Sequence, residues 1–195
     1  MVLGRICVYC GANRGSDPVY ADAARAMGRA LAERGIGLVT GGGRVGLMGV
    51  VADAALEAGG FVTGVIPEAL TTKELAHRGL TDLVVTASMH ERKAKMAELS
   101  DGFVALPGGL GTYEELFEIW TWAQLGWHGK PCGVLNAAGF YDRLVAFLDG
   151  STEAGFLKPQ HRAMLVVESD PERLIDRFEA YTAPAVTKWI GHDQT

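Results

Sequence analysis

The chain has 195 residues, 48% of them hydrophobic and 21% charged, a balance that builds a packed core and excludes intrinsic disorder. Its net charge of −5 leaves no electrostatic footprint for nucleic acid, and no uninterrupted apolar run reaches the ~18 residues of a membrane span. The opening Met1-Val2-Leu3-Gly4-Arg5 lacks the basic start, apolar core and cleavage site of a signal peptide, so a soluble cytoplasmic protein is expected.

In chain order, short apolar runs alternate with longer amphipathic ones. Strands are predicted at Ile6–Tyr9, Ile36–Thr40, Phe61–Ile66, Leu83–Thr86, Phe103–Leu106, Cys132–Leu135 and Met164–Val167. Helices are predicted at Pro18–Arg34, Leu47–Ala58, Met89–Leu99, Tyr113–Leu125, Phe140–Asp149 and Pro171–Tyr181. Asp17-Pro18 reads as an N-cap followed by proline at the first helical position. Ser88-x-x-Glu91 and Thr112-x-x-Glu115 both have the pattern of a capping box, and Gly35 and Gly59-Gly60 stand where helices should stop.

Strands apolar on both faces, alternating with helices, predict an α/β fold: a Rossmann-like parallel sheet of about seven strands with helices on both faces. No linker or repeat interrupts it, so residues 1–181 are expected to form a single nucleotide-binding domain. Residues 182–195 are a turn-rich, weakly patterned tail.

Cys7, Cys10 and Cys132 cannot all pair within one chain. Cys7-Val8-Tyr9-Cys10 has the C-x-x-C spacing but falls on a strand, not at a helix start where redox chemistry needs it. Buried, reduced thiols are expected. With no second such pair and no metal-ligand spacing among the histidines, no metal site is expected.

In an open parallel sheet, ligands bind beyond the carboxyl ends of the strands. Three strand-to-helix turns therefore meet at one edge: Gly41–Gly49, Ser88–Lys93 and Pro107–Glu115. Gly41-Gly42-Gly43-Arg44-Val45-Gly46 is a literal G-x-G-x-x-G, with Glu68 at the distance of a ribose-binding acid. It follows the second strand rather than the first, which leaves three readings: a tight turn, a phosphate or ribose contact, or a dinucleotide site. Pro107-Gly108-Gly109-Leu110-Gly111-Thr112-Tyr113-Glu114-Glu115 is a second glycine turn running into a helix, where backbone amides and the helix dipole attract an anion. Neither loop contains the Gly-Lys-Ser/Thr of a P-loop. Two such cradles suit a mononucleotide.

Glu115 has two readings. It completes the Thr112 capping box, or it presents a carboxylate to whatever the turn holds. Arg92 is a solvated first-turn residue, or a cation facing the same cleft. A carboxylate and a guanidinium beside a phosphate site suit cleavage at an anomeric carbon.

These motifs resemble those of the LONELY GUY (LOG) family. Pro107 to Glu115 fits its PGGxGTxxE motif, and Met89-His90-Glu91-Arg92-Lys93 fits its M-H-x-R-K segment at the family's spacing. Cys10-Gly11-Ala12-Asn13 and Gly41–Gly49 look like its opening nucleotide loops, with Ala12-Asn13 where relatives often carry serines. The similarity runs from about Arg5 to Tyr181. It implies hydrolysis of the N-glycosidic bond of N6-substituted AMP (a cytokinin riboside 5′-monophosphate), and of AMP, to free base and ribose 5-phosphate. It implies no cofactor. Arg92 and Glu115 would be the catalytic pair, and Gly108, Gly109, Gly111 and Thr112 would bind phosphate. Glu74, Lys93, Glu114, Thr121, Gly11, Gly42 and Gly43 would be further substrate contacts. The older description of such proteins, possible lysine decarboxylase, finds no lysine in a pyridoxal-phosphate setting here.

Between Tyr113 and Trp127 the apolar residues Leu116, Phe117, Ile119, Trp120, Trp122, Ala123 and Leu125 cover more than one ~100° stripe. Such a helix is either wedged among neighbours or shared across a homodimer interface, the arrangement the resemblance implies. Two further classes compete with the hydrolase: a non-catalytic nucleotide or cofactor carrier, such as one for molybdenum cofactor, and an NAD(P)-dependent oxidoreductase.

Overall fold

Neighbouring residues of the six strands other than the edge strand near Leu83–Thr86 feed two separate cores. On one side Ile6, Val8, Leu38, Val62 and Val104 pack with Ala24, Met27, Val51 and Phe178. On the other, Cys7, Tyr9, Val39, Val65 and Phe103 pack with Met96, Leu116, Ile119 and Trp120. A sheet with both faces buried is the reason its strands read as continuous apolar runs.

The computed structural model of the chain describes residues 2–71 and 76–185. Its strands are β1 (Arg5–Tyr9), β2 (Gly37–Thr40), β3 (Val62–Pro67), β4 (Asp82–Thr86), β5 (Gly102–Ala105), β6 (Cys132–Leu135) and β7 (Leu165–Glu168). The main helices are α1 (Pro18–Glu33), α2 (Gly46–Glu57), α4 (Met89–Glu98), α5 (Leu110–Gln124), α6 (Asp142–Glu153) and α8 (Pro171–Glu179). Two one-turn helices, α3 (Glu68–Thr71) and α7 (Pro159–Arg162), and a 3-10 turn at Ala137–Gly139 were not expected. Pieces that short carry no periodicity to read.

All seven strands are parallel, in the order β4-β3-β2-β1-β5-β6-β7. The order reverses at β1, so the crevice between the ends of β1 and β5 is the topological switch point. The strands carrying the two glycine turns, β2 and β5, therefore flank β1. α4 starts from the edge strand β4 and returns across the sheet, burying Met96 beside Val39 and Ile119.

Local chemistry acts largely as expected. Asp17 caps α1 through Val19 N at 2.9 Å, with Pro18 at the first helical position. Ser88 accepts from Glu91 N at 3.1 Å, and Glu91 reaches back to Ala87 N at 2.8 Å. All three cysteines are free and buried. Residues 182–185 form neither helix nor strand, and the remainder of the C-terminal tail, 186–195, lies outside the described residues. Among the described residues no helix is long and apolar enough to cross a membrane.

Candidate active site

The turns after β1, β2 and β5 meet over the switch point and enclose a cavity of about 640 Å³. Gly11 joins them: its N–H donates to Pro107 O (3.1 Å), and its carbonyl accepts from Leu47 N (2.9 Å). The loop after β1 is thereby tied to both glycine turns.

The floor is the start of α5. Gly109 is the N-cap, with no side-chain hydrogen bond to satisfy the first-turn amides, so these remain available to an anion. Gly108, Gly109, Gly111 and Thr112 all line the cavity. Thr112 is buried, and a Cβ on Gly108 would lie 2.1 Å from its Oγ1. Only glycine lets the strand end pass beneath that hydroxyl.

This start differs from the expected one, and the difference matters. Thr112 is the third residue of the helix, not its cap, so the Thr112–Glu115 capping box does not form. Glycine is a weak helix former, which is why the sequence pattern favours a later start. Burial of Leu116, Ile119 and Trp120 fixes the helix axis, and Gly109 caps it one turn earlier.

Glu115 is consequently left to another partner. Its Oε1 accepts from Arg92 Nη1 at 2.7 Å, and the two side chains are only 12% and 10% exposed. Arg92 also donates from Nε to Val65 O at 3.0 Å, which fixes the plane of its guanidinium. The third nitrogen lies over Gly41, where a Cβ would come within 2.2 Å of Nη2. Burial raises the pKa of Glu115 above its ordinary value, and it outweighs the opposing pull of Arg92.

Glu114 lines the cavity and is paired with Lys93, which also donates to Glu118 at 2.9 Å. Burial alone would lower the Lys93 pKa, but these two carboxylates raise it overall and hold the ammonium charged. Lys93 does not itself line the cavity, so it reaches the site only through Glu114.

Of the other residues singled out from the sequence, Gly11 and Gly43 line the cavity, and Gly42 does not. Gly42 makes the turn instead, its carbonyl accepting from His77 N at 2.8 Å. Thr121 is exposed far along α5 and donates to Phe117 O at 2.6 Å, away from this cavity. Glu74 lies outside the described residues. Glu68 opens α3, is exposed and is not part of the wall, so Gly41–Gly46 contributes to a shared cavity without its expected ribose acid. Among the described residues no group of His, Cys, Asp or Glu is placed to hold a metal ion.

Sequence reasoning missed the apolar half of the wall. Met48, Ile66, Leu70 and Met89 line the cavity, as do Tyr20 and Phe140, whose rings meet edge to face at 5.6 Å. Met89 belongs to the M-H-x-R-K segment and was the one available signal. The others read only as ordinary apolar positions.

Comparison with known proteins bears on the family and the fold. Residues 48–178 match the model of the family described as "Possible lysine decarboxylase". A probable cytokinin riboside 5′-monophosphate phosphoribohydrolase of Oryza sativa subsp. japonica is 49% identical over 179 residues, covering 92% of this chain and 80% of the relative. A cytokinin riboside 5′-monophosphate phosphoribohydrolase of Arabidopsis thaliana is 47% identical, covering 91% and 78%. Among solved structures, the molybdenum cofactor binding protein of Rippkaea orientalis superposes with a TM-score of 0.70 at 24% identity, covering 92% of this chain and 98% of that one. That likeness speaks to the fold alone. By its family match and by near-half identity over most of its length, the chain belongs to the possible lysine decarboxylase family, the LOG family that its two motifs resemble.

Proposed function

We propose that the protein is a nucleoside 5′-monophosphate phosphoribohydrolase. It hydrolyses the N-glycosidic bond of N6-substituted AMP, and of AMP, giving free base and ribose 5-phosphate. The observation that carries this reading is the buried Arg92–Glu115 pair in the same cavity as the α5 cradle.

The cradle amides and the α5 dipole hold the 5′-phosphate, with Gly108, Gly109, Gly111 and Thr112 at its base. This anchors the ribose over the pair. As the C1′–N bond lengthens, positive charge develops on the sugar and negative charge on the departing base. The Glu115 carboxylate stabilises the oxocarbenium character and takes a proton from the attacking water. Arg92 keeps that carboxylate oriented, and its charge favours the electron-rich base as it leaves. One water is consumed: its hydroxyl goes to C1′ and its proton, by way of Glu115, to the base.

The apolar wall of Met48, Ile66, Leu70 and Met89 fits a base bearing a hydrophobic N6 substituent. The buried Arg92–Glu115 pair facing the cavity favours the hydrolase over a carrier, which needs no carboxylate at its site. A lysine decarboxylase of the pyridoxal-phosphate kind needs a lysine at its site, and none lines this cavity among the described residues.

The working unit we propose is a single-domain homodimer in the cytoplasm. Phe117 and Trp122 on α5 and Leu125 at its C-cap are only partly buried, which suits an interface helix, and the three free cysteines fit a reducing compartment. Thr121, exposed on the same helix, would then serve the site across that interface. Incubation with AMP and with isopentenyl-AMP, followed by chromatography for free base, tests the reading; release from neither nucleotide overturns it.

A further inference from the structure

Among the described residues four charged side chains line the cavity: Arg14, Arg92, Glu114 and Glu115. Three are already engaged, Arg92 with Glu115 and Glu114 with Lys93. Among the described residues Arg14 makes no hydrogen bond or ion pair and is exposed at the cavity edge. A phosphate monoester brings close to two negative charges to a site whose other arginine is neutralised by its partner.

The backbone beneath Arg14 is held on both sides. Three residues earlier, Gly11 is bonded to Pro107 O and Leu47 N. Three residues later, Asp17 caps α1. A long cation on a fixed stretch beside a cradle of amides is the arrangement that recognises a phosphate bidentately.

Resting on the hydrolase reading above, we infer that Arg14 is a specificity-determining residue that reads the substrate's 5′-phosphate from the mouth of the cavity. It acts on binding and not on bond cleavage, because Arg92 and Glu115 are bonded to each other and neither is bonded to it. Its charge selects phosphorylated nucleosides over free ones. Neither its neighbours Ala12 and Asn13 nor Gly15 carries a charge that could take over this role.

The test compares the full-length protein with Arg14→Gln and Arg14→Lys, using calorimetric binding of ribose 5-phosphate and of adenine. Ribose 5-phosphate should bind Arg14→Gln about tenfold or more weakly, adenine should bind within about twofold of the parent, and Arg14→Lys should recover part of the loss. With AMP as substrate, KM should rise by a similar factor while kcat stays within about twofold. Unchanged ribose 5-phosphate affinity overturns the inference, and so does an equal weakening of both ligands, which would mark a merely structural loop residue. A parent protein that binds ribose 5-phosphate through Arg14 but never hydrolyses AMP sinks the hydrolase reading and leaves the phosphate assignment standing.

Discussion

Arg92 and Glu115 meet at 2.7 Å although they lie on helices that follow strands β4 and β5, which are separated in the sheet by β3, β2 and β1. The return of α4 across the sheet brings them together, and Val65 O and Gly41 set the arginine's position. Their contact depends on the whole parallel topology and on no local motif.

Arg92→Lys keeps the charge but loses the planar fork that serves Val65 O and Glu115 together. One charge-assisted hydrogen bond is worth about 1.5–3 kcal/mol, so kcat/KM should fall roughly 10- to 100-fold. Steady-state kinetics with AMP checks this, and a variant equal to the parent would show that the second contact is dispensable.

The raised pKa of Glu115 has a signed consequence. Hydrolysis needs the carboxylate, so kcat/KM, which reports the free protein, should fall on acidification through a pKa above the ordinary glutamate value of about 4.3. Over that window the folded state binds more protons at Glu115 than the unfolded state, so this group adds stability as pH falls. Loss of activity there should therefore be reversible and unaccompanied by unfolding. A pH–rate profile measured alongside circular dichroism separates the two; simultaneous loss of fold contradicts it.

Gly41→Ala would place a Cβ 2.2 Å from Arg92 Nη2 and 3.3 Å from Met48 Sδ. The guanidinium must move, at an overpacking cost of about 1–3 kcal/mol. The expected result is a kcat at least tenfold lower, with ribose 5-phosphate affinity little changed because the α5 cradle is elsewhere. Gly108→Ala should do the reverse: its Cβ would meet Thr112 Oγ1 at 2.1 Å and close the cradle, raising KM. Identical effects of the two substitutions would refute the division of labour.

Two exposed glycines test the backbone argument away from the site. Gly35 ends α1 at φ +70 with nothing within 4 Å of a would-be Cβ, so Gly35→Ala should cost about 1 kcal/mol from conformation alone. Gly150 sits within α6, equally open, and Gly150→Ala should stabilise by about 0.5–1 kcal/mol. Urea denaturation gives both signs, and activity per folded molecule should be unaffected by either.

The strands were legible because burial on two faces makes them continuous apolar runs, and each predicted run overlaps a strand of the sheet. The helix starts at Asp17 and Ser88 were legible from cap chemistry. The start of α5 was not, because the pattern Thr112-x-x-Glu115 imitates a capping box while packing places the cap at Gly109. That local imitation hid the freedom of Glu115. Equally hidden was the apolar wall: Met48 and Ile66 acquire their role only from the sheet order, which residue spacing does not encode.

The central claim is that Glu115 performs chemistry and does not merely hold its helix. The direct measurement is single-turnover release of free base from isopentenyl-AMP by the parent protein and by Glu115→Gln, with thermal unfolding recorded for both. The parent should release base and ribose 5-phosphate in equal amounts. The variant should be slower by about 10²–10⁴-fold while remaining folded, since Gln keeps the acceptor for Arg92 but cannot take a proton. A folded Glu115→Gln protein that releases base at the parent's rate would contradict the account.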